Sequence, residues 1–169
     1  MQHPGSTDFD VKDRLAIINL CNAYADGYDR NEMDRWFALF TDDIELTTRL
    51  SDGPTWVISG DAFKEALRQN RLIVADAGRM PLHCDTNLNI KQQTSDRAIA
   101  EAYMLYVPRE IAALNNAEKT LTETRITGTA RYSFNLLKGD DSIWRIDSYT
   151  IIYDQKVVEE STDLGETGR

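Results

Sequence analysis

The sequence predicts an α+β fold, in which helices pack on one face of a curved antiparallel or mixed sheet of about six strands. Apolar residues recur at helical spacing in the first half of the chain, whereas four long segments of the second half alternate with a period of two. The predicted order is helix, helix, strand, strand, helix and then four strands, and such separation is typical of α+β domains. Long twisted strands that curl over helices form a cone, so we expect a pocket inside it.

Three helices are predicted from apolar spacing and from residues that mark helix ends. The first runs from Asp10 to about Tyr28, with Gly27 at its end as a residue that tolerates the left-handed cap conformation. The second is short, from about Glu32 to Phe40, and the third runs from Gly60 to about Ala75. All three helices therefore precede the four long strands.

Six strands are predicted, two of them in a hairpin before the third helix and four after it. Asp-Gly-Pro at 52–54 and Lys-Gly-Asp-Asp at 138–141 supply tight turns, which favour antiparallel neighbours. The predicted strands are Ile44–Leu50, Thr55–Ser59, Leu82–Gln92, Arg97–Pro108, Thr120–Leu137 and Ser142–Asp154.

Size and charge restrict the partners and the compartment. The chain has 169 residues and a formal net charge of −9, and we expect a flexible leader at 1–9, one domain at 10–155 and an acidic, disordered tail at 156–169. The negative charge argues against nucleic acid or an anionic membrane as a partner, and no apolar run reaches the roughly 20 residues that span a membrane. The start of the chain lacks the features of a secretory signal, so we expect a cytoplasmic protein.

The functional prediction depends on His83, the only histidine outside the N-terminal leader. Imidazole titrates near neutral pH, and a neighbouring carboxylate can fix its tautomer. Tyr24 and Asp29, at the end of the first helix, complete a plausible proton-transfer set with His83. Asp26 competes with Asp29, because the two lie roughly 60° apart on a helical wheel and spacing does not decide between them.

Strand alternation leaves the surroundings of His83 open. It places His83, Asp85, Asn87 and Asn89 on one face of the strand, and this polar face could simply be solvated. Cys84 would point to the opposite face, so a thiolate nucleophile paired with His83 is not expected.

Four short segments resemble the SnoaL-like branch of the nuclear transport factor 2-like superfamily, over about residues 10–155. Their order and spacing carry the resemblance, which implies the cone-shaped fold with a deep pocket. The segments are Ile17–Tyr24, Leu39–Asp43, Gly60–Phe63 and Trp144–Ile146.

Within that superfamily the chain is most similar to the subgroup of scytalone dehydratase, bile-acid dehydratases and hexachlorocyclohexane dehydrochlorinases. In those enzymes a histidine in a phrase like His-x-x-Thr-Asn pairs with an aspartate just past the first helix. Leu82–Asn87 and Tyr28-Asp29 match those positions, and Tyr24 matches a pocket tyrosine of the bile-acid dehydratases. The resemblance implies a lyase or isomerase that needs neither metal nor organic cofactor and acts on a hydrophobic cyclic small molecule.

The roles that this resemblance implies are those of an elimination or an isomerisation. Neutral His83 would remove a proton from carbon, Asp29 would stabilise the imidazolium, and Tyr24 would donate a hydrogen bond to the leaving oxygen or to an enolate. Trp36 and Phe37 would help to exclude water from the pocket.

One departure from the relatives concerns the electrophilic partner. Some relatives carry an arginine on the final strand, where this chain has Ser148, Tyr149 and Thr150. Tyr149, Arg125 or Glu101 could take that role instead, and Tyr103 shares a strand face with Glu101. These four residues are candidates for lining the pocket, and the choice among them stays open.

Two other functions stay open. The small subunits of aromatic-ring dioxygenases resemble this fold and serve assembly, so the chain could be a noncatalytic subunit. It could also be a small-molecule-binding protein that has lost the chemistry. A metalloenzyme is the least expected class, because one histidine among scattered acids lacks the spacing of metal ligands.

Apolar alternation in the predicted sheet suggests a homo-oligomer. Three helices would leave apolar sheet residues uncovered, so we expect association through the sheet, with dimer and trimer both open. The residues concerned are Ile126, Ala130, Tyr132, Phe134, Trp144, Ile146 and Ile152.

Overall fold

The computed structural model describes residues 3, 5–51, 53–76, 79–107, 109–110 and 128–154. This part of the chain contains three helices, as predicted, and eight strands. The helices are α1 (Val11–Asp29), α2 (Met33–Phe37) and α3 (Gly60–Asp76). The strands are β1 (Phe40–Leu50), β2 (Thr55–Ser59), β3 (Arg79–Met80), β4 (His83–Gln93), β5 (Arg97–Tyr106), β6 (Arg109–Glu110), β7 (Gly128–Lys138) and β8 (Trp144–Tyr153). The predicted acidic tail and residues 120–127 of the predicted fifth strand lie outside the described residues.

Six strands form one mixed sheet in the order β2-β1-β8-β7-β5-β4. Its neighbours pair antiparallel except β1 and β8, which are parallel, and β2 and β4 are its two edges. The short strands β3 and β6 pair separately. The α+β class with a curved six-stranded mixed sheet is therefore confirmed. None of the helices in the described part of the chain is long and apolar enough to span a membrane.

Hydrogen bonds join the N-terminal end of helix α1 to three strands of the sheet. The Asp10 side chain caps the helix by accepting the backbone N–H of Asp13 at 2.9 Å. The Asp13 carboxylate accepts hydrogen bonds from Lys138 Nζ and Trp144 Nε1, both at 3.0 Å. Gln93 Nε2, at the end of β4, donates to the Asp10 carbonyl at 3.1 Å. Helix α1 therefore runs back along β4 and ends beside the start of that strand.

Gly27 has a different role from the predicted one. It lies inside α1 rather than at a left-handed cap, and the positive φ that follows the helix belongs to Asn31. A Cβ atom at Gly27 would lie 3.2 Å from Cδ1 of Trp36, so glycine permits the close packing of this indole. Trp36 Nε1 donates to the Tyr24 carbonyl at 2.7 Å, which fixes α2 against α1.

The prediction of strict alternation along β4 holds only as far as Thr86. Asn87 has a φ of 54°, and the register with β5 shifts between Thr86 and Asn89. Such a bulge exchanges the faces of the residues that follow it. Asn89 consequently lies opposite exposed Glu101 on the outer face, whereas Ile90 is buried.

Before the bulge, two polar residues face the interior. His83 lies opposite Tyr106 and Asp85 lies opposite the buried Met104. The interpretation of this face as simply solvated is therefore wrong for His83 and Asp85. Cys84 pairs on the opposite face of the strand, as expected.

Most of the apolar sheet residues that suggested oligomerisation are buried within a single chain. The three helices pack on the inner face of the sheet and cover its apolar side chains. These buried residues are Ala130, Tyr132, Phe134, Trp144 and Ile146. Ile152 is half-buried opposite exposed Arg131, and Ile126 lies outside the described residues. The expectation that three helices leave these apolar sheet residues uncovered is therefore wrong, while the homo-oligomer itself stays a prediction.

Candidate active site

The last residue of α1 and the first residue of β4 form a two-point contact. Asp29 Oδ1 lies 2.5 Å from His83 Nδ1, and Asp29 Oδ2 accepts the backbone N–H of His83 at 2.7 Å. Their side chains are only 11% and 14% exposed. The carboxylate assigns the imidazole proton to Nδ1, which leaves Nε2 as a proton acceptor.

A buried arginine holds the end of α1 that carries Asp29. Arg71 Nε donates to the Tyr28 carbonyl at 3.1 Å, and its Nη2 donates to the Asp29 carbonyl at 3.2 Å. Arg71 is only 5% exposed. It donates to the Asp29 carbonyl, which the helix end leaves without a backbone donor, and it is a second donor to the Tyr28 carbonyl, which also accepts the backbone N–H of Asn31 at 3.1 Å. Arg71 was not predicted from the sequence, although it lies four positions after Leu67 on the same side of α3.

The structure distinguishes the two aspartates that spacing could not. Asp26 forms an exposed ion pair with Arg30 at 2.6 Å, one turn along the helix. Asp29 instead lies under the sheet against His83. Only Asp29 therefore has the geometry to orient the imidazole.

A cavity of about 1040 Å³ lies between the helices and the inner face of the sheet. His83 and Trp36 line it, together with Leu67, Asn70 and other residues of both layers. Six of the seven tyrosines also line it, namely Tyr24, Tyr28, Tyr106, Tyr132, Tyr149 and Tyr153. None of the described lining residues is Asp, Glu, Lys or Arg. The cavity is therefore aromatic and rich in hydroxyl groups.

Tyr24 lies deep in this cavity, within a cluster of aromatic rings. Its ring centroid lies 5.3–5.4 Å from those of Tyr132, Phe134 and Tyr149. Burial raises the pKa of Tyr24 well above its ordinary value, and its hydroxyl interacts with those of Tyr132 and Tyr149. Tyr24 is therefore a neutral phenol that can donate a hydrogen bond.

The aromatic rings that contact His83 directly belong to Tyr28 and Tyr106, at centroid distances of 5.6 and 5.1 Å. Asn70 Nδ2 donates a hydrogen bond to the Tyr28 hydroxyl oxygen at 3.0 Å, so the hydroxyl proton of Tyr28 stays available to another acceptor. Burial is the main cause that raises the pKa of Tyr28. Neither of these tyrosines was predicted from the sequence to lie beside His83.

Three other predicted pocket residues lie elsewhere than expected. Glu101 and Tyr103 are exposed on the outer face of β5, and Glu101 forms an ion pair with Lys91 at 3.1 Å. Phe37 packs against Phe63 outside the cavity lining. The prediction that these three line the pocket is wrong, because β5 presents its alanines inward and α2 turns Trp36 to the cavity. Arg125 lies outside the described residues.

A second carboxyl group lies close to the pair. Asp85 points inward from β4, and both its carboxyl oxygens are buried without a hydrogen-bond partner among the described residues. The pKa of Asp85 is raised to about 7, and burial is the largest cause. The interaction with His83 lowers this pKa, and the interaction with Asp29 raises it. Among the residues that the structure describes, no group of three or more His, Cys, Asp and Glu side chains could hold a metal ion.

Comparisons with known proteins agree on the fold. The profile of the family described as SnoaL-like domain matches residues 10–150. No curated protein matches the chain. A solved structure named "Putative Scytalone Dehydratase", from Novosphingobium aromaticivorans DSM 12444, is 20% identical with a TM-score of 0.65, covering 89% of each chain.

Two further solved structures come from the same species. The "beta subunit of a putative aromatic-ring-hydroxylating dioxygenase" is 22% identical with a TM-score of 0.61, covering 85% of this chain and 90% of that one. An "ntf2-like protein with a cystatin-like fold" is 14% identical with a TM-score of 0.63, covering 90% of this chain and 86% of that one. At these identities the likeness shows the fold alone.

Proposed function

We propose that this chain, which belongs to the SnoaL-like domain family, is a cofactor-independent lyase or isomerase that acts on a hydrophobic cyclic molecule. The observation that carries this proposal is the two-point contact of Asp29 with His83 beside a cavity of about 1040 Å³. A histidine held at one ring nitrogen by a buried carboxylate is suited to accept a proton at the other.

In the proposed reaction, His83 Nε2 removes a proton from a carbon atom of the bound molecule. Asp29 keeps the proton on Nδ1 and stabilises the imidazolium that forms, without itself taking the proton. Phenol groups of the cavity, Tyr24 from the deep cluster and Tyr28 beside His83, donate hydrogen bonds to the oxygen that gains negative charge. The groups required for an elimination or an isomerisation are therefore all supplied by protein side chains.

The cavity lining favours an uncharged substrate with several rings. Binding pockets for small molecules span about 300–1,000 Å³, so this cavity is large enough for a polycyclic molecule. Its described lining offers phenols, threonines and one amide, but no lysine or arginine that would pair with a carboxylate or a phosphate. We therefore propose a neutral substrate that carries hydroxyl or carbonyl oxygen.

The two histidines of the chain provide a matched test of this function. Neutral cyclic ketones, beginning with 1-tetralone, are incubated with the protein in heavy water, and exchange at the α-carbon is followed by mass spectrometry. We expect the wild type and His3→Gln to accelerate exchange equally and His83→Gln to lose at least about 100-fold of that acceleration. Equal exchange by His83→Gln and the wild type would exclude His83 as the base.

A second candidate function is that of a noncatalytic small subunit. The solved structure named as a dioxygenase beta subunit covers most of this chain, which favours this alternative as a fold-level analogy. Co-purification with a Rieske-type large subunit, together with no exchange of any ketone, would favour it over the lyase or isomerase. Ligand binding without conversion would instead favour a binding protein. The homo-oligomer and the cytoplasmic location stay predictions, and analytical ultracentrifugation tests the first.

A further inference from the structure

Two successive residues of α3 hold Tyr28 at both of its ends. Asn70 Nδ2 donates to the Tyr28 hydroxyl oxygen at 3.0 Å, and Arg71 Nε donates to the Tyr28 carbonyl at 3.1 Å. The guanidinium carbon of Arg71 also lies 5.9 Å from the centroid of the Tyr28 ring. The phenol beside His83 is therefore fixed from α3 at its hydroxyl group as well as at its backbone.

The hydrogen bond from Asn70 restricts where the hydroxyl proton of Tyr28 can point. A phenol hydroxyl carries one proton and accepts hydrogen bonds with its oxygen lone pairs. Since Asn70 occupies the accepting side of the oxygen, the proton is left for an acceptor other than α3. Tyr28 and His83 both line the large cavity, and their rings meet edge to face at a centroid distance of 5.6 Å. An oxygen atom of a molecule bound beside the imidazole is therefore the natural acceptor of this proton.

The electrostatic surroundings favour Tyr28 over Tyr24 as the hydrogen-bond donor. Burial is the main cause that raises the pKa of Tyr28, but the charge of Arg71 and the hydrogen bond from Asn70 both lower this pKa. In contrast, burial, the neighbouring phenols and Asp85 all raise the pKa of Tyr24. Contacts that stabilise negative charge on a phenol oxygen also strengthen its O–H group as a donor.

The charge of Arg71 acts on Tyr28 with little screening. Arg71 is 5% exposed, and buried charges are screened much less than exposed ones. Its Nε and Nη2 donate to backbone carbonyls of α1, while Nη1 is buried without a hydrogen-bond partner among the described residues. Arg71 and Asn70 therefore act on Tyr28 in the same direction.

We propose that Asn70 is the positioning residue for Tyr28, which donates the hydrogen bond to the substrate oxygen that gains charge when His83 removes a proton from carbon. This inference rests on the proposed function. Because the rings of Tyr28 and His83 are in contact, this oxygen and the carbon that loses its proton are close neighbours in the substrate. The arrangement suits a carbon next to a carbonyl group, and it leaves Tyr24, in the deep cluster, to contact another part of the bound molecule.

The substitution Asn70→Asp tests the direction of this hydrogen bond and keeps the shape of the side chain. An ionised carboxylate accepts hydrogen bonds but cannot donate them, so it would draw the Tyr28 proton to itself and away from the substrate. Asn70→Leu removes the hydrogen bond altogether. Asn70 is exposed, so both variants should fold like the wild type, which circular dichroism checks. Gln69→Leu is the matched control, because the Gln69 amide donates to Glu65 on the same helix.

The first test needs no substrate and follows the ionisation of Tyr28 by NMR, in the full chain labelled with ¹³C at the tyrosine ring carbon that bears oxygen. Tyr28→Phe identifies the signal among those of the seven tyrosines. We expect the pKa of Tyr28 to rise in Asn70→Leu, which loses a donor to the phenolate, and to rise further in Asn70→Asp, which adds a negative charge. Gln69→Leu should titrate as the wild type. A Tyr28 pKa that Asn70→Leu leaves unchanged or lowers would overturn the proposal.

The second test measures kcat and KM for α-carbon exchange of a ketone that the wild type accepts. We expect Asn70→Leu to lower kcat by about 2- to 5-fold with little change in KM, and Asn70→Asp to lower it about as much as Tyr28→Phe does. In a Tyr28→Phe background, Asn70→Leu should cause no further loss, since Asn70 acts through the hydroxyl group that is missing. An equal loss in both backgrounds would overturn the proposal. Absence of exchange by the wild type would count against the proposed function, and the titration of Tyr28 would still decide the role of Asn70.

Discussion

Two aspartates with buried carboxyl groups, Asp29 and Asp85, lie close to the same imidazole, but their surroundings differ. Asp29 accepts two hydrogen bonds from His83, and an arginine holds the backbone of its helix end. Asp85 accepts no hydrogen bond from the described residues. The difference shows that the donors around a carboxyl group, more than its residue type, decide whether it is fixed against a neighbour or left unpaired.

The largest expected effect comes from Asp29→Asn, which removes the oriented carboxylate and keeps the shape of the side chain. We expect the α-carbon exchange rate to fall at least about 100-fold, since the imidazole loses both its fixed tautomer and the charge that stabilises the imidazolium. Mass spectrometry of the exchanged ketone measures this. Asp26→Asn is the matched control, and equal rates for the two variants would mean that Asp29 does not orient the base.

The support of Asp29 is tested by Arg71→Met, which removes the side-chain donor of the Asp29 carbonyl and one of the two donors of the Tyr28 carbonyl. We expect the free energy of unfolding in urea to fall by about 2–4 kcal/mol, because the Asp29 carbonyl remains buried. Arg68→Met on the same helix removes an ion pair to Asp34, a residue that is itself highly exposed, and should cost less than about 1 kcal/mol. If the two variants lose the same stability, Arg71 does not anchor the end of α1.

The Asp85 carboxyl group, which has no hydrogen-bond partner among the described residues, predicts an unusual dependence of stability on pH. Its folded pKa of about 7 lies above the unfolded value of about 3.9, so the folded protein binds the proton more tightly. The contribution of Asp85 to stability therefore falls as pH rises from about 4 to 7 and stays low above that. At pH 8 we expect Asp85→Asn to be more stable than the wild type by about 1–4 kcal/mol, with a smaller difference at pH 5. Urea unfolding at both pH values measures this, and a variant that is equally destabilised at both would contradict an unpaired carboxyl.

The smallest effect is expected from the phenols. Tyr28→Phe should lower the exchange rate by about 2- to 10-fold, the value of one hydrogen bond to the oxygen that gains charge. Tyr24→Phe should do the same if the deep cluster reaches the substrate. Tyr103→Phe on the outer face is the control and should leave the rate unchanged. A fall in the Tyr103 variant equal to that of Tyr28→Phe would show that the effect is not local to the cavity.

Periodicity was sufficient to predict the helices and the sheet, because the apolar residues of this chain follow regular spacing over most elements. It also placed His83 and Asp85 on one face of β4, since the first four residues of that strand alternate regularly, but it did not show that this face is the inner one. Alternation failed after Thr86, because a bulge at Asn87 exchanges the two faces of the strand. No pattern in the sequence predicts this shift of register. Glu101 and Tyr103 were placed wrongly because alternation gives two faces of a strand but does not say which one is covered.

The residues of the candidate site could also be predicted only in part from the sequence. The resemblance selected Asp29 over Asp26, and only the packing of α1 on β4 explains that choice physically. The tyrosines beside His83 were missed because tyrosine occurs on both covered and exposed surfaces. Arg71 did carry a signal, since an arginine in line with the apolar side of a helix is expected to be buried with partners. Alternation placed Asp85 on the same face as His83, but it could not show that no described residue donates a hydrogen bond to the Asp85 carboxyl group.

The most direct test of the central claim is the ¹⁵N spectrum of the His83 ring in the full chain at about pH 8.5. If Asp29 orients a base toward the large cavity, Nδ1 carries the proton and Nε2 has the shift of an unprotonated nitrogen, and Asp29→Asn abolishes this preference. A spectrum in which Nε2 carries the proton, or in which Asp29→Asn leaves the tautomer unchanged, would contradict the account.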